Sequence, residues 1–219
     1  MYVGDGGDKF AKFDGTEFKI GSASKLLGSD SYNNDNYYWS WSGDTIDGIG
    51  ANASSGGVAS LQNGYILLSV DTSNGSFAGF LRDYYYGNDQ LSWDKTRRFK
   101  FRFRVNNTPG TNQEINVGLG QLDGTVTNRV NFRMKASSLA LYGVTANGTS
   151  STETSLSFSA TTGTHHLLEI VFTPATDAKF YVDTVLKATI STTLPSGTAH
   201  AGKVPQAKIQ NSAASSSTQ

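Results

Sequence analysis

Three stretches of this chain repeat with a period of two, and nothing else in the sequence constrains the fold as much. Phe99, Phe101, Phe103 and Val105 are interleaved with Arg98, Lys100, Arg102 and Arg104. Val130, Phe132 and Met134 are interleaved with Arg129, Asn131, Arg133 and Lys135. His166, Leu168, Ile170 and Phe172 alternate with His165, Leu167, Glu169 and Val171. A period of two sends alternate side chains to opposite faces of a pleated strand, whereas a helix would spread them around its axis. Each stretch is therefore predicted to be a strand with one face on a core.

Other strand-length runs fit the same pattern. Residues 57–61 and 65–70 flank Asn63-Gly64, a two-residue hairpin signature. Residues 77–81, 114–120, 139–144, 180–183, 185–190 and 204–209 read as further strands, and Leu156 with Phe158 marks a weaker one. No amphipathic helix longer than two turns and no internal repeat is found, so the expectation is an all-β sandwich or barrel. The 24 glycines and only 4 prolines suit short strands joined by tight turns.

Within 219 residues the apolar side chains are spread along the whole length, which fits one large core. There are no cysteines, which excludes disulfides and thiolate metal sites. The 18 basic and 18 acidic side chains cancel, which argues against a generic nucleic-acid binder. No apolar run is long enough for a membrane-spanning helix. The first residues, Met1-Tyr-Val-Gly-Asp-Gly-Gly-Asp, have neither the basic nor the apolar region of a signal peptide. Work outside a cell would then require another exit, such as assembly into a particle released by lysis.

Residues 1–30 are expected to form an N-terminal extension, a hairpin around Asp14-Gly15 whose apolar residues are Phe13, Phe18 and Ile20. Two strands alone are marginal in water, so this segment should pack on the main domain or on copies of itself. The sandwich is expected over 31–210, followed by a flexible Ser/Ala-rich tail over 211–219.

From Trp93 to Ile190 the chain resembles the concanavalin A-like lectin/glucanase family of antiparallel two-sheet jelly-roll sandwiches. The residues that carry the resemblance are Phe99-Lys-Phe-Arg-Phe-Arg-Val, Val117-Gly-Leu-Gly120 followed by Arg129-Val-Asn-Phe132, and His166-Leu-Leu-Glu-Ile-Val-Phe172. Phe180-Tyr-Val-Asp183, the run to Ile190 and Leu194-Pro-Ser-Gly197 complete that pattern of strand, tight turn and strand. The segment around Lys12-Phe-Asp-Gly15 is similar to those preceding such domains in phage tail and fibre proteins. The resemblance implies the jelly-roll fold, but the family's site motifs are missing. The glucanase strand Glu-x-Asp-x-x-Glu is absent, the legume-lectin metal cluster is absent, and Thr184 stands where the turn usually has glycine.

Glycoside hydrolysis needs two carboxylates about 5–10 Å apart, and Glu114, Glu169 and Asp183 are isolated along the sequence. His165 and His166 point to opposite faces of one strand and cannot share an ion. His166 falls on the inward phase and reads best as a satisfied core or rim histidine. Acid-rich segments 30–35 and 44–47 could take calcium through oxygen ligands, but solvated turns are the plainer reading. No cofactor and no metal site is expected. A structural calcium stays open, because such sandwiches often carry one.

Two surfaces stand out. Trp39, Trp41, Tyr84, Tyr85, Tyr86 and Trp93 lie in or beside turn-rich segments, where rings can stack on sugar faces and Asn88 and Asp89 can bond hydroxyls. Tyr84, Tyr85, Tyr86, Asn88, Asp89 and Trp93 form the candidate carbohydrate site. Between residues 95 and 135 lie nine cations against two acids, Glu114 and Asp123. Arg98, Lys100, Arg102, Arg104, Arg129 and Arg133 form a candidate basic face for an anionic partner or a neighbouring subunit. The alternative is a solvated face paired with acids such as Glu169, which also blocks edge pairing.

The expected function is a non-enzymatic lectin-like domain on a virion or tail-fibre surface of phage type, binding glycans of a host surface. Its expected partners are glycan, further copies of itself (a homotrimer) and other virion proteins, with neither nucleic acid nor membrane insertion. A purely structural fibre subunit is the alternative, and a divergent glycan hydrolase the third reading.

Overall fold

The structure is a computed structural model and describes residues 2–3, 11–13, 18–20, 49–53, 57–62, 65–72, 74–82, 92–120, 127–197 and 204–212. Its strands in chain order are β1 (Tyr2–Val3), β2 (Ala11–Phe13), β3 (Phe18–Ile20), β4 (Ile49–Ala53), β5 (Gly57–Gln62), β6 (Tyr65–Val70), β7 (Phe77–Arg82) and β8 (Arg97–Phe103). They continue as β9 (Gln113–Gly120), β10 (Arg129–Met134), β11 (Ala140–Ala146), β12 (Ser151–Ser159), β13 (His166–Thr173), β14 (Asp177–Val182), β15 (Val185–Ile190) and β16 (Val204–Asn211). No helix occurs among the described residues.

Two antiparallel sheets make the sandwich. The larger has seven strands in the order β12-β11-β10-β9-β16-β7-β4, and the smaller has four in the order β15-β14-β13-β8. β5 and β6 pair as a hairpin whose register closes at Gln62 and Tyr65, as Asn63-Gly64 predicts. β1, β2 and β3 form a small sheet of their own, with Phe13 opposite Phe18.

The two large sheets face each other through the inward residues of the period-two strands. Phe132 on β10 meets Phe101 on β8 and Phe180 on β14 edge-to-face, at 6.0 and 5.3 Å between ring centroids. Leu168, Ile170 and Phe172 on β13 and Val130 and Met134 on β10 are buried in the same cluster. Each such side chain contributes about 1.5–3 kcal/mol on leaving water. Phe180 also presses on Gly143 of β11, where a Cβ would stand 2.8 Å from the ring.

Three expectations change. β12, read as weak, spans nine residues. It is the edge strand of the larger sheet, so its outward positions can be Ser, Thr and Glu without cost to the core. The strand near the C-terminus runs on to Asn211, which is buried, and Ser212 N–H donates to Asn112 O at 3.0 Å. The tail therefore does not begin at 211. Lastly, β8 and β10 belong to different sheets. Arg98, Lys100, Arg102 and Arg104 face outward on one side of the sandwich, and Arg129 and Arg133 on the other. The single basic face does not exist.

Candidate functional site

The outward face of the larger sheet holds a connected set of polar side chains. Register places Arg133 of β10 beside Asn116 of β9 and Tyr142 of β11, and places Asn131 beside Gly118 and Val144. Glu153 of β12 lies opposite Val144, and Lys208 of β16 opposite Asn116. All of these share the phase opposite to Val130, Phe132 and Met134, so the core fixes where they point.

Arg133 sits between two carboxylates. Its Nη2 donates to Glu114 Oε2 at 2.5 Å and its Nη1 to Glu153 Oε2 at 3.0 Å. Lys135 closes on the other oxygen of Glu153 and lies 4.2 Å from the centre of the Tyr142 ring. Asn116 Nδ2 donates to Glu114 Oε1, and Asn131 Nδ2 donates to Asn116 Oδ1 at 2.9 Å. The contacts thus link β12, β10 and β9 through six side chains.

Burial changes along it. Asn131 is 0% exposed and its Oδ1 has no hydrogen-bond partner among the described residues, while Asn116, Gln206 and Arg129 are also buried. Toward β12 the side chains of Arg133, Glu153 and Lys135 are partly open to solvent. Buried amides form a floor, with charged groups at one rim. Burial pulls Arg129 below the ordinary arginine value, against the charge of Glu114. Burial acts the same way on Arg133, but bonding to Glu114 and the charges of Glu114 and Glu153 outweigh it and raise the guanidinium. Such a face offers fixed donors and acceptors to hydroxyl groups. Arg133 bridges the two carboxylates, one through each terminal nitrogen.

The opposite side of the sandwich is different. Arg98 Nε donates to Glu169 Oε1 at 2.5 Å, and Lys100 Nζ lies 3.1 Å from Glu169 Oε2. Glu169 is buried; burial alone would raise it, but hydrogen bonds from Arg98 and Lys100 hold its carboxyl below the usual range. Arg102 and Arg104 continue the row, exposed. His166 lies on the inner side of the same sheet. Its Nδ1 donates to Asp183 Oδ2 at 2.8 Å and its Nε2 accepts from Thr161 N–H at 3.4 Å, which satisfies both nitrogens.

Of the sequence-predicted carbohydrate residues, Tyr84, Tyr85, Tyr86, Asn88 and Asp89 lie outside the described residues, as do Trp39 and Trp41 and the acid-rich segments 30–35 and 44–47. Trp93 is 1% exposed and packs edge-to-face on Phe172 at 5.1 Å. It is a core residue and cannot stack on a sugar. Among the described residues no three His, Asp or Glu side chains gather as a metal site. The pairing of Glu114 with Glu153 through Arg133 was not read from the sequence, since the two acids are 39 positions apart. No local signal marked it, since Arg129, Asn131 and Arg133 on an outward phase read as an open face, asparagine and arginine being mostly exposed residues.

The chain matches no protein-family profile and no curated protein sequence. Solved structures do match. A β-glucanase of Bacillus licheniformis is similar with a TM-score of 0.51 at 15% identity, over 76% of this chain and 81% of that one. The carbohydrate recognition domain of Emp47p gives 0.52 at 12% identity, over 80% and 86%. A protein of unknown function from Shewanella oneidensis MR-1 gives 0.57 at 11% identity, over 78% and 73%. The chain therefore has the concanavalin A-like jelly-roll fold that its resemblance implied.

Proposed function

We propose that this chain is a non-enzymatic carbohydrate-binding domain whose ligand lies on the outward face of the seven-stranded sheet. The binding groups are Glu114, Arg133, Tyr142 and Glu153, and the buried amides of Asn116 and Asn131 hold Glu114 in place behind them. The observation that carries this reading is the arginine wedged between the two carboxylates. It preorganises acceptors and donors for sugar hydroxyls and leaves no gap for in-line cleavage between the acids. The fold supports it as well, since one solved structure sharing it is named as a carbohydrate recognition domain.

Charged groups held by one another at the open rim need little ordering when a hydroxyl replaces part of the network. Truncating them should therefore cost affinity without unfolding the chain. Glycan-array screening followed by calorimetry on the strongest hit is the test. Tyr142→Ala and Glu153→Gln should each weaken binding about fivefold to a hundredfold, the range of one or two hydrogen bonds to neutral or charged partners. Unchanged affinity in both variants would place the ligand elsewhere.

A hydrolase is the second reading, favoured by the glucanases that share the fold. It would require Arg133 to leave the space between Glu114 and Glu153. Reducing-end release from β-glucans, abolished by Glu114→Gln, would establish it and overturn the non-enzymatic reading.

Single sugar contacts are weak, and linked copies raise avidity by about 10²–10⁴. We place the domain on a particle that displays many copies, such as a virion surface, with residues 1–30 as the assembly segment. Light scattering on the full chain checks this: an oligomer is expected, and a monomer at all concentrations would sink it.

A further inference from the structure

β8 is an edge of the four-stranded sheet among the described strands, and its outward side is a row of cations. Arg98, Lys100 and Arg102 lie on the strand and Arg104 one residue past it. Alternate residues of a strand recur about 6.7 Å apart, so the row is about 20 Å long. Its halves differ. Arg98 and Lys100 share Glu169, at 2.5 and 3.1 Å. Arg102 and Arg104 are exposed and form no ion pair among the described residues.

We propose that this row binds a polyanionic polysaccharide, carrying sulfate or uronate groups, laid along β8. Cations on an edge strand also discourage edge-to-edge pairing, and lysine serves that purpose best. Here three of the four are arginine. A guanidinium fork bonds sulfate or carboxylate through two parallel N–H groups, which an ammonium cannot do.

Other occupants fit less well. A second copy of this chain would need an acidic strand to match the row. Nowhere in the sequence do two acids stand two residues apart, so no strand of the chain has an acidic face. Single-stranded nucleic acid binds by stacking bases on aromatic side chains between its phosphate contacts. Across from the row, β13 presents Leu167, Glu169 and Val171, none of them aromatic. A charged polysaccharide needs only the line of donors and the short aliphatic surface beside it.

This surface lies on the other side of the sandwich from Glu114, Arg133 and Glu153, so it is independent of the site proposed above. The test uses the full chain on immobilised heparin and dextran sulfate, eluted with salt and compared with neutral glucan. Wild type should be retained on both sulfated supports and released by salt. Arg102→Gln/Arg104→Gln should bind about tenfold more weakly. It should also flatten the slope of log affinity against log salt by about 1.5, the share of two lost charges. Arg102→Lys/Arg104→Lys should keep the slope, and neutral-glycan binding should be the same in all three proteins. Both arginines are exposed, so the thermal transition should not move. No retention of wild type, co-elution of the Gln variant with wild type, or tighter binding to single-stranded DNA than to dextran sulfate would each overturn the proposal.

Discussion

Asp183 and Thr184 turn the chain from β14 into β15 with φ of 49° and 71°, both in the left-handed region. Two-residue hairpin turns of this kind favour Asn-Gly or Asp-Gly, because glycine enters that region freely. A β-branched threonine there costs about 1–3 kcal/mol. Asp183 offsets the strain. Its Oδ1 accepts Leu167 N–H at 2.8 Å, its Oδ2 accepts from His166, and its own N–H donates to Leu167 O at 2.7 Å. Thr184→Gly should therefore raise the unfolding free energy by about 1 kcal/mol, read from the denaturant midpoint at unchanged slope. Asp183→Asn tests the other half. The Leu167 N–H, with help from His166, holds the Asp183 carboxyl below the usual carboxylate value. A depressed folded value means stability that is present above the unfolded value, about 3.9, and lost as pH falls through the folded one. The stability gap between wild type and Asp183→Asn should be widest near neutral pH and close as pH drops below about 4. A gap independent of pH would mean that the carboxylate charge contributes nothing.

At the scale of elements, the pleat decides which substitutions matter. Gly143 lies on the inward phase of β11, and a Cβ added there would meet three atoms of the Phe180 ring at 2.8–2.9 Å. Phe180 cannot retreat, since Phe132 packs on it edge-to-face. Gly143→Ala should cost about 1–3 kcal/mol, lowering the denaturant midpoint, as overpacked cores do. The same pleat explains what was legible beforehand. Phe99, Phe132 and Ile170 announced their strands because a face buried against a second sheet must be apolar at every other residue. β12 was understated because an edge strand buries little, and Leu156 and Phe158 were its only strong markers. The two basic strands looked like one face because period tells which side of a strand a residue takes, but not which sheet the strand joins. Trp93 was misread for a related reason. Its flanking residues, Ser92 and Asp94, are those of a turn, while its ring inserts against Phe172 on a strand nearly eighty positions later. The polar network escaped for want of the same long-range information, since Glu114, Arg133 and Glu153 lie on three strands and only sheet order brings them together.

Sheet order also ties the whole molecule to a strand near its C-terminus. β16 is inserted between β9 and β7, and it pairs with both along nearly its full length. Its inward residues Ala207 and Ile209 are buried in the core, with Ile209 opposite Ile115 on one side and Ala78 on the other. The larger sheet can therefore close only after β16 arrives, since its pairings with β9, from Gln206 with Gly118 to Asn211 with Gln113, join residues 88 to 98 positions apart. Non-local pairing of this kind pays its loop entropy before any contact forms, so refolding in milliseconds to seconds is expected, not microseconds. It also makes the fold all-or-none with respect to that strand. A chain ending at residue 203 would leave β9 and β7 with unpaired edges and Ile115 and Val117 facing water. Such a chain should show no cooperative thermal transition. A synthetic peptide spanning 204–212 should restore one by adding the missing strand, since main-chain pairing to two open edges supplies both affinity and register. If the 1–203 chain melted cooperatively at the wild-type temperature, β16 would be an accessory to the larger sheet and not its centre.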